Sequence, residues 1–77
     1  MKNIKIYSTP TCHFCHLAKD YFDENKVKYT EYNVSTDLEK RKEMMSVSGQ
    51  MGVPVIDIEG EIIVGFDQEK IAGLLGL

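Results

Sequence analysis

Apolar residues near the start of the chain fall at every second place. Ile4 and Ile6 alternate with polar neighbours over residues 3–7, the period of a half-buried strand. Ser8-Thr9-Pro10-Thr11 breaks that run, and proline cannot continue a strand ladder. The period then changes. Phe14, Cys15, Ala18, Tyr21 and Phe22 recur at three- and four-residue spacing, which predicts a helix over residues 12–25, ended by Asn25 and Lys26. Residues 27–34 are rich in β-formers, with Val27, Tyr29, Tyr32 and Val34 carrying the apolar surface of a second strand. Thr36-Asp37-Leu38-Glu39 has the form of a capping box, with Thr36 accepting from the Glu39 amide. The helix it opens runs to about Ser48 and stops at Gly49. Residues 53–58 form a third strand with Pro54 near its start. Glu59-Gly60-Glu61 turns the chain into a fourth, Ile62-Ile63-Val64. Asp67 caps a last helix reaching Leu75, which buries Ile71, Leu74 and Leu75.

The predicted order is β-α-β-α-β-β-α, an α/β arrangement in one domain spanning residues 1–77. A helix between the first two strands implies a parallel pair with a right-handed crossover. The short connection after the third strand implies an antiparallel hairpin. The sheet is therefore mixed and four-stranded, with helices on its faces. In such sheets a site usually forms where a strand's C-terminal end leads into a helix N-terminus. Cys12 and Cys15 fall there.

Composition narrows the function classes. With 77 residues the chain makes one small domain, and such a domain buries only roughly 60–65% of its unfolded surface. Nine basic and twelve acidic side chains give a net charge of -3, without a basic run or arginine cluster, which argues against nucleic-acid binding. No 18-residue apolar stretch exists to span a membrane. Met1-Lys2-Asn3-Ile4-Lys5-Ile6 has no signal-type core. A cytosolic location is expected by default. Thiols stay reduced there, so a close cysteine pair points to catalysis or metal binding rather than a structural staple.

Cys12 and Cys15 are the only cysteines, in Cys12-His13-Phe14-Cys15-His16. If a helix begins at Cys12, its sulfur lies at the positive end of the helix dipole, where thiolate is favoured over thiol. Four readings fit the motif. Two ordinary helix residues are one. Covalent haem is another, since Cys-x-x-Cys-His is the c-type attachment signature and Met44, Met45 or Met51 could be an axial ligand; such methionines are more often core filler. Zinc is a third, but a structural site needs four ligands and no second cluster exists. The fourth is dithiol–disulfide exchange, which the strand–turn–helix context favours. In that reading Cys12, at the cap, is the attacking sulfur. Cys15, one turn in, is the resolving thiol. His13 is a solvated side chain, and Phe14 is either apolar filler or an exposed rim residue.

The stretch Ile6-Tyr7-Ser8-Thr9-Pro10-Thr11-Cys12-His13-Phe14-Cys15-His16-Leu17-Ala18-Lys19 resembles the glutaredoxin active site, whose pattern runs Tyr-(Ser/Thr), Cys-Pro-Tyr-Cys, Ala-Lys. Arg41-Lys42-Glu43-Met44 resembles the family's second-helix segment. Gly52-Val53-Pro54 resembles its Thr-Val-Pro, and Gly65-Phe66-Asp67 the end of its Gly-Gly-Cys-Asp. The likeness spans essentially the whole chain. It implies a thioredoxin fold and a thiol–disulfide oxidoreductase acting on protein disulfides or glutathione mixed disulfides. It also implies a cis Val53–Pro54 peptide. Val53 would pair by backbone with the substrate's cysteinyl part, and the Phe66 and Asp67 amides would hold the γ-glutamyl carboxylate. The Asp67 carboxylate would face the substrate ammonium, and Arg41 its glycyl carboxylate. No resident cofactor or metal is expected; glutathione is the expected co-substrate, and a monomer is the expected state.

The chain departs from the pattern in four places. Thr9 stands where glutaredoxins commonly carry a lysine, and His13 replaces the usual proline. The double glycine is reduced to Val64-Gly65, and Gly52 replaces threonine. Gly65-Phe66 instead resembles the redoxins that donate electrons to ribonucleotide reductase and are recharged by thioredoxin reductase. A rival from another class is a carrier module holding an iron–sulfur cluster through Cys12 and glutathione, or haem.

Overall fold

The computed structural model describes residues 3–77. Met1 and Lys2, which open the segment read as lacking a signal core, lie outside the described residues. Seven elements follow in the expected order: β1 (Ile4–Ser8), α1 (His13–Glu24), β2 (Thr30–Asn33), α2 (Leu38–Ser48), β3 (Val55–Ile58), β4 (Glu61–Val64) and α3 (Gln68–Leu75). They build one mixed sheet in the order β2-β1-β3-β4. β1 runs parallel to β2, with Lys5 opposite Thr30 and Ser8 opposite Asn33. It runs antiparallel to β3, with Ile6 opposite Ile56. β3 and β4 close an antiparallel hairpin in which Ile58 faces Glu61. Glu59 and Gly60 form its two-residue loop, at φ 51° and 92°. Positive φ at both positions gives the turn twist that matches paired strands.

Alternation along the strands divides the core into two layers. Ile4, Ile6, Ile56, Ile58 and Ile63 pack with Ala18 and Phe22 of α1 and Ile71 of α3. Tyr7, Val34 and Val55 pack with Met44 of α2 on the opposite face. Helices therefore cover both faces, and β1 is buried from either side. No described helix is long and apolar enough to cross a membrane.

Most boundaries shift by one to three residues: β1 takes in Ser8, which was expected to break it, β2 stops at Asn33, and β4 starts at Glu61. Three of the shifts have a clear local reason. β2 begins at Thr30, not Val27. The Val27 amide donates to the Phe22 carbonyl at 2.8 Å, so it finishes the end of α1 rather than joining the ladder. Val27 and Tyr29 still pack on the core. α2 is capped by Asp37, not Thr36: Asp37 Oδ1 accepts the Lys40 amide at 3.1 Å. Thr36 is used in the preceding turn, where its amide and hydroxyl both donate to the Asn33 carbonyl. β3 begins at Val55, after Pro54, which has no amide for a ladder.

Candidate active site

β1 ends at the buried Ser8, and residues 9–11 lead into α1 with Cys12 as its N-cap, at φ -86° and ψ 114°. The Cys12 amide donates to the Thr9 carbonyl at 3.3 Å, and its carbonyl accepts the first helical bond from the His16 amide at 3.2 Å. Cys12 Sγ accepts the Cys15 amide at 3.2 Å. Oxygen side chains are the favoured caps, and sulfur is a weak acceptor. A thiol here thus forgoes some helix stability, as local rules are relaxed at functional sites. The same sulfur points at the Val53 carbonyl, 3.7 Å away across the fold. The Val53–Pro54 peptide is cis.

The two thiols differ in surroundings. Both are free; Cys12 is half-buried and Cys15 is fully covered. Burial pushes the Cys15 thiol up to about 12, and its contact with Cys12 adds to the effect. Phe14 is 57% exposed beside them, so it is a rim residue rather than filler. Its ring lies 5.5 Å from that of His13, edge-on. His16 Nε2 lies 2.9 Å from the Pro10 carbonyl, which can only accept. Among the described residues no group of three or more His, Cys, Asp or Glu is arranged to hold a metal ion.

A cleft of about 280 Å³ is lined by Thr9, Val34, Ser35, Arg41, Met44, Met51 and Val53, and two of these, Thr9 and Val53, are the residues whose carbonyls face Cys12. It brings Arg41, Val53 and Thr9 together. The Phe66 side chain points elsewhere: its ring packs 5.8 Å from Tyr21, and it lines a second cleft between α1 and α3. Asp67 caps α3 by accepting the Lys70 amide at 3.2 Å. The entry to α3 is tied to the cis proline, since the Gly65 amide donates to the Pro54 carbonyl at 2.8 Å, with Gly65 at φ 83°. Sequence reasoning missed one polar cluster. Glu31 Oε2 accepts from Ser8 Oγ at 2.9 Å and from Lys19 Nζ at 2.8 Å. The sequence signal was slight, a Lys19 in a motif and a serine ending an apolar strand.

A mixed four-stranded sheet, helices on both faces and a cysteine pair opening the first helix together define a thioredoxin-fold protein. The chain belongs to the glutaredoxin family, whose family model, Glutaredoxin, matches residues 4–63. It is 49% identical over 72 residues to an uncharacterized glutaredoxin-like 8.6 kDa protein in the rubredoxin operon of Clostridium pasteurianum, covering 94% of this chain and 96% of that one. It is 37% identical over 67 residues to glutaredoxin 3 of Escherichia coli K12, covering 87% and 81%. A crystal structure of a mutant of the thioredoxin-like protein BC3987 superposes with a TM-score of 0.91 at 33% identity, covering 99% and 97%.

Proposed function

We propose that the protein is a thiol–disulfide oxidoreductase that works by dithiol exchange, with Cys12 attacking and Cys15 resolving. The observation that carries this reading is the division of the pair: a half-buried sulfur at a helix start, held by the Cys15 amide, above a fully covered thiol one turn in. Thiolate at Cys12 attacks a disulfide R–S–S–R′, forms Cys12–S–S–R and releases R′S⁻. Cys15 then attacks Cys12 Sγ, closes the internal disulfide and releases RSH. An external reductant reopens that disulfide. The Val53 carbonyl beside Cys12 supports a role for Val53 in pairing by backbone with an incoming cysteinyl group. Arg41 would meet a carboxylate at the far side of the cleft, and the Phe66 and Asp67 amides and the Asp67 carboxylate would hold the polar end of glutathione. The enzyme would act in the cytosol, as a monomer, on glutathione mixed disulfides and protein disulfides.

A second reading concerns the reductant. Thr9 lines the cleft where a lysine is common, and one neighbour is a thioredoxin-like protein. Both favour a redoxin recharged by thioredoxin reductase, with ribonucleotide reductase as an acceptor. The test is reduction of the oxidised protein by glutathione and by thioredoxin reductase side by side, using the wild type, Cys12→Ser and Cys15→Ser. Cys12→Ser should abolish exchange. Cys15→Ser should lose protein-disulfide reduction yet keep a monothiol reaction with glutathione mixed disulfides. Full activity in Cys12→Ser would overturn the assignment. A brown or red protein would indicate a cluster or haem carrier instead.

A further inference from the structure

The exchange chemistry above leaves the Ser8–Glu31–Lys19 cluster without a role. Ser8 is 1% exposed, the buried polar residue of the described core. Its hydroxyl and the Lys19 ammonium both donate to one oxygen of Glu31, so β1, β2 and α1 meet at that atom. Lys19 sits four residues after Cys15 on α1, and residues at that spacing adjoin on a helix surface. Cys15 is fully covered, and the Lys19 side chain is only 18% exposed. Burial and the contact with Cys12 dominate the Cys15 thiol and push it up, and the Lys19 ammonium opposes them weakly; Lys19 itself is governed first by Glu31, with a small contribution from Cys15. An ion pair of this kind, one partner largely covered and the other fixed by a buried hydroxyl, is more ordered than a loose surface pair.

We propose that Ser8 and Glu31 are positioning residues that hold the Lys19 ammonium beside Cys15, where it promotes the resolving step. This rests on the exchange reading above. In that step Cys15–SH must give up its proton before its sulfur bonds to Cys12 Sγ. The Cys12–substrate S–S bond breaks, and its electron pair leaves with the substrate sulfur, which ends as RSH after taking up a proton. The balance is Cys15–SH plus Cys12–S–S–R giving Cys12–S–S–Cys15 plus RSH. A covered sulfur has little water to stabilise its anion. The Lys19 charge substitutes for that water, and Glu31 keeps Lys19 from swinging into solvent. The other groups facing the cluster are few. Cys12 faces Cys15 and opposes its ionisation. Tyr29 faces Lys19 and Glu31, with Asp23 beside it, and His16 faces Glu31 from α1.

The test separates the two chemical steps. Reduced protein reacts with an aromatic disulfide, dithiobis(nitrobenzoate), in a stopped-flow instrument across neutral pH. A first equivalent of coloured thiol reports attack by Cys12, and a second reports resolution by Cys15. Lys19→Met should lower the ratio of second-phase to first-phase rate about tenfold at neutral pH and move the second-phase pH profile up by about one unit. Lys19→Arg keeps the charge and should restore most of the ratio. Glu31→Gln keeps the shape and should shift the profile the same way by a smaller amount, which gives a reading even if Lys19→Met folds poorly. A purely structural tie between β2 and α1 would lower the melting temperature but leave the second-phase profile of Glu31→Gln and Lys19→Met superimposed on that of wild type. That result would overturn the proposal. A wild type that shows no second phase would refute the exchange reading itself, and the inference with it.

Discussion

Cys12 and Cys15 share one helical turn, yet their surroundings set them apart. A thiol pushed up to about 12 is thiolate in fewer than about one molecule in ten thousand at neutral pH, and Cys15 is also out of reach of solvent. Iodoacetamide at pH 7 should therefore alkylate Cys12 first, as peptide mapping would show; preferential labelling of Cys15 would reverse the assigned roles. The Lys19–Glu31 pair gives a second prediction. Its ammonium, held chiefly by the hydrogen bond to Glu31, is raised above the usual lysine value; the Glu31 carboxylate is lowered, chiefly by Lys19. A lowered carboxylate stabilises the fold above the ordinary carboxylate range, and that contribution is lost as pH falls through its folded value. The raised lysine contributes below its ordinary value and loses this only as pH rises through the folded one. Glu31→Gln should thus lower the melting temperature at pH 7 but not in strong acid. The effect should be about 0.2–1 kcal/mol, because the Glu31 side chain is 42% exposed and solvent screens the pair. An equal loss at both pH values would rule out the ion pair as its source. The cysteines and the Asp67 cap were legible because each is a local pattern. The Ser8–Glu31–Lys19 cluster was not. Its contacts join residues 12 and 23 apart in sequence, and a lone lysine and glutamate look like any solvated pair until the fold brings them together.

At the scale of elements, hydrophobic period and turn residues carried all seven in order, because each helix and strand has a stripe or alternation to bury. Boundaries were read less well, since they are decided by single hydrogen bonds. Thr36 and Asp37 are both good cap residues, and the Thr36–Glu39 spacing fits a capping box. What settles the competition is the turn before the helix, where the Asn33 carbonyl takes the Thr36 amide and hydroxyl and leaves Asp37 to receive the Lys40 amide. Asp37→Ala should accordingly cost about 1 kcal/mol of stability in denaturant unfolding, and Thr36→Ala about 0.5 kcal/mol or less. The opposite ranking would restore the capping box. The short β2 has the same kind of cause. Val27 and Tyr29 carry strand-like side chains, but the Val27 amide is already committed to Phe22 at the end of α1. Apolar pattern reports burial, and Val27 is partly buried without being paired.

In the whole molecule, the two-layer core brings distant segments to one edge of the sheet. β1 is buried from both faces, so its C-terminal end is a fixed point, and Cys12 leaves from it. Pro54 enters from the start of β3, the neighbour of β1, which brings the Val53 carbonyl to the sulfur. α2 packs on the opposite face through Met44 and carries Arg41 to the same cleft. The resemblance to glutaredoxins had already joined these segments; periodicity alone could not, because their meeting depends on strand order. The same assembly sets up the choice of reductant. The cleft keeps Arg41 and Val53 but has the uncharged Thr9 on its wall, so an anionic tripeptide loses one ionic partner there. A hydrogen bond to a charged group is worth roughly 1.5–3 kcal/mol, or about ten- to a hundredfold in affinity. Wild type should therefore use glutathione measurably but weakly, and Thr9→Lys should tighten glutathione binding by about that factor in a titration of the Cys15→Ser variant. The gain should shrink as salt is added, because exposed charges are screened. If Thr9→Lys leaves affinity unchanged while thioredoxin reductase readily reduces the wild type, the cleft is not a glutathione subsite. The redoxin reading, with thioredoxin reductase as the reductant, is then the better one.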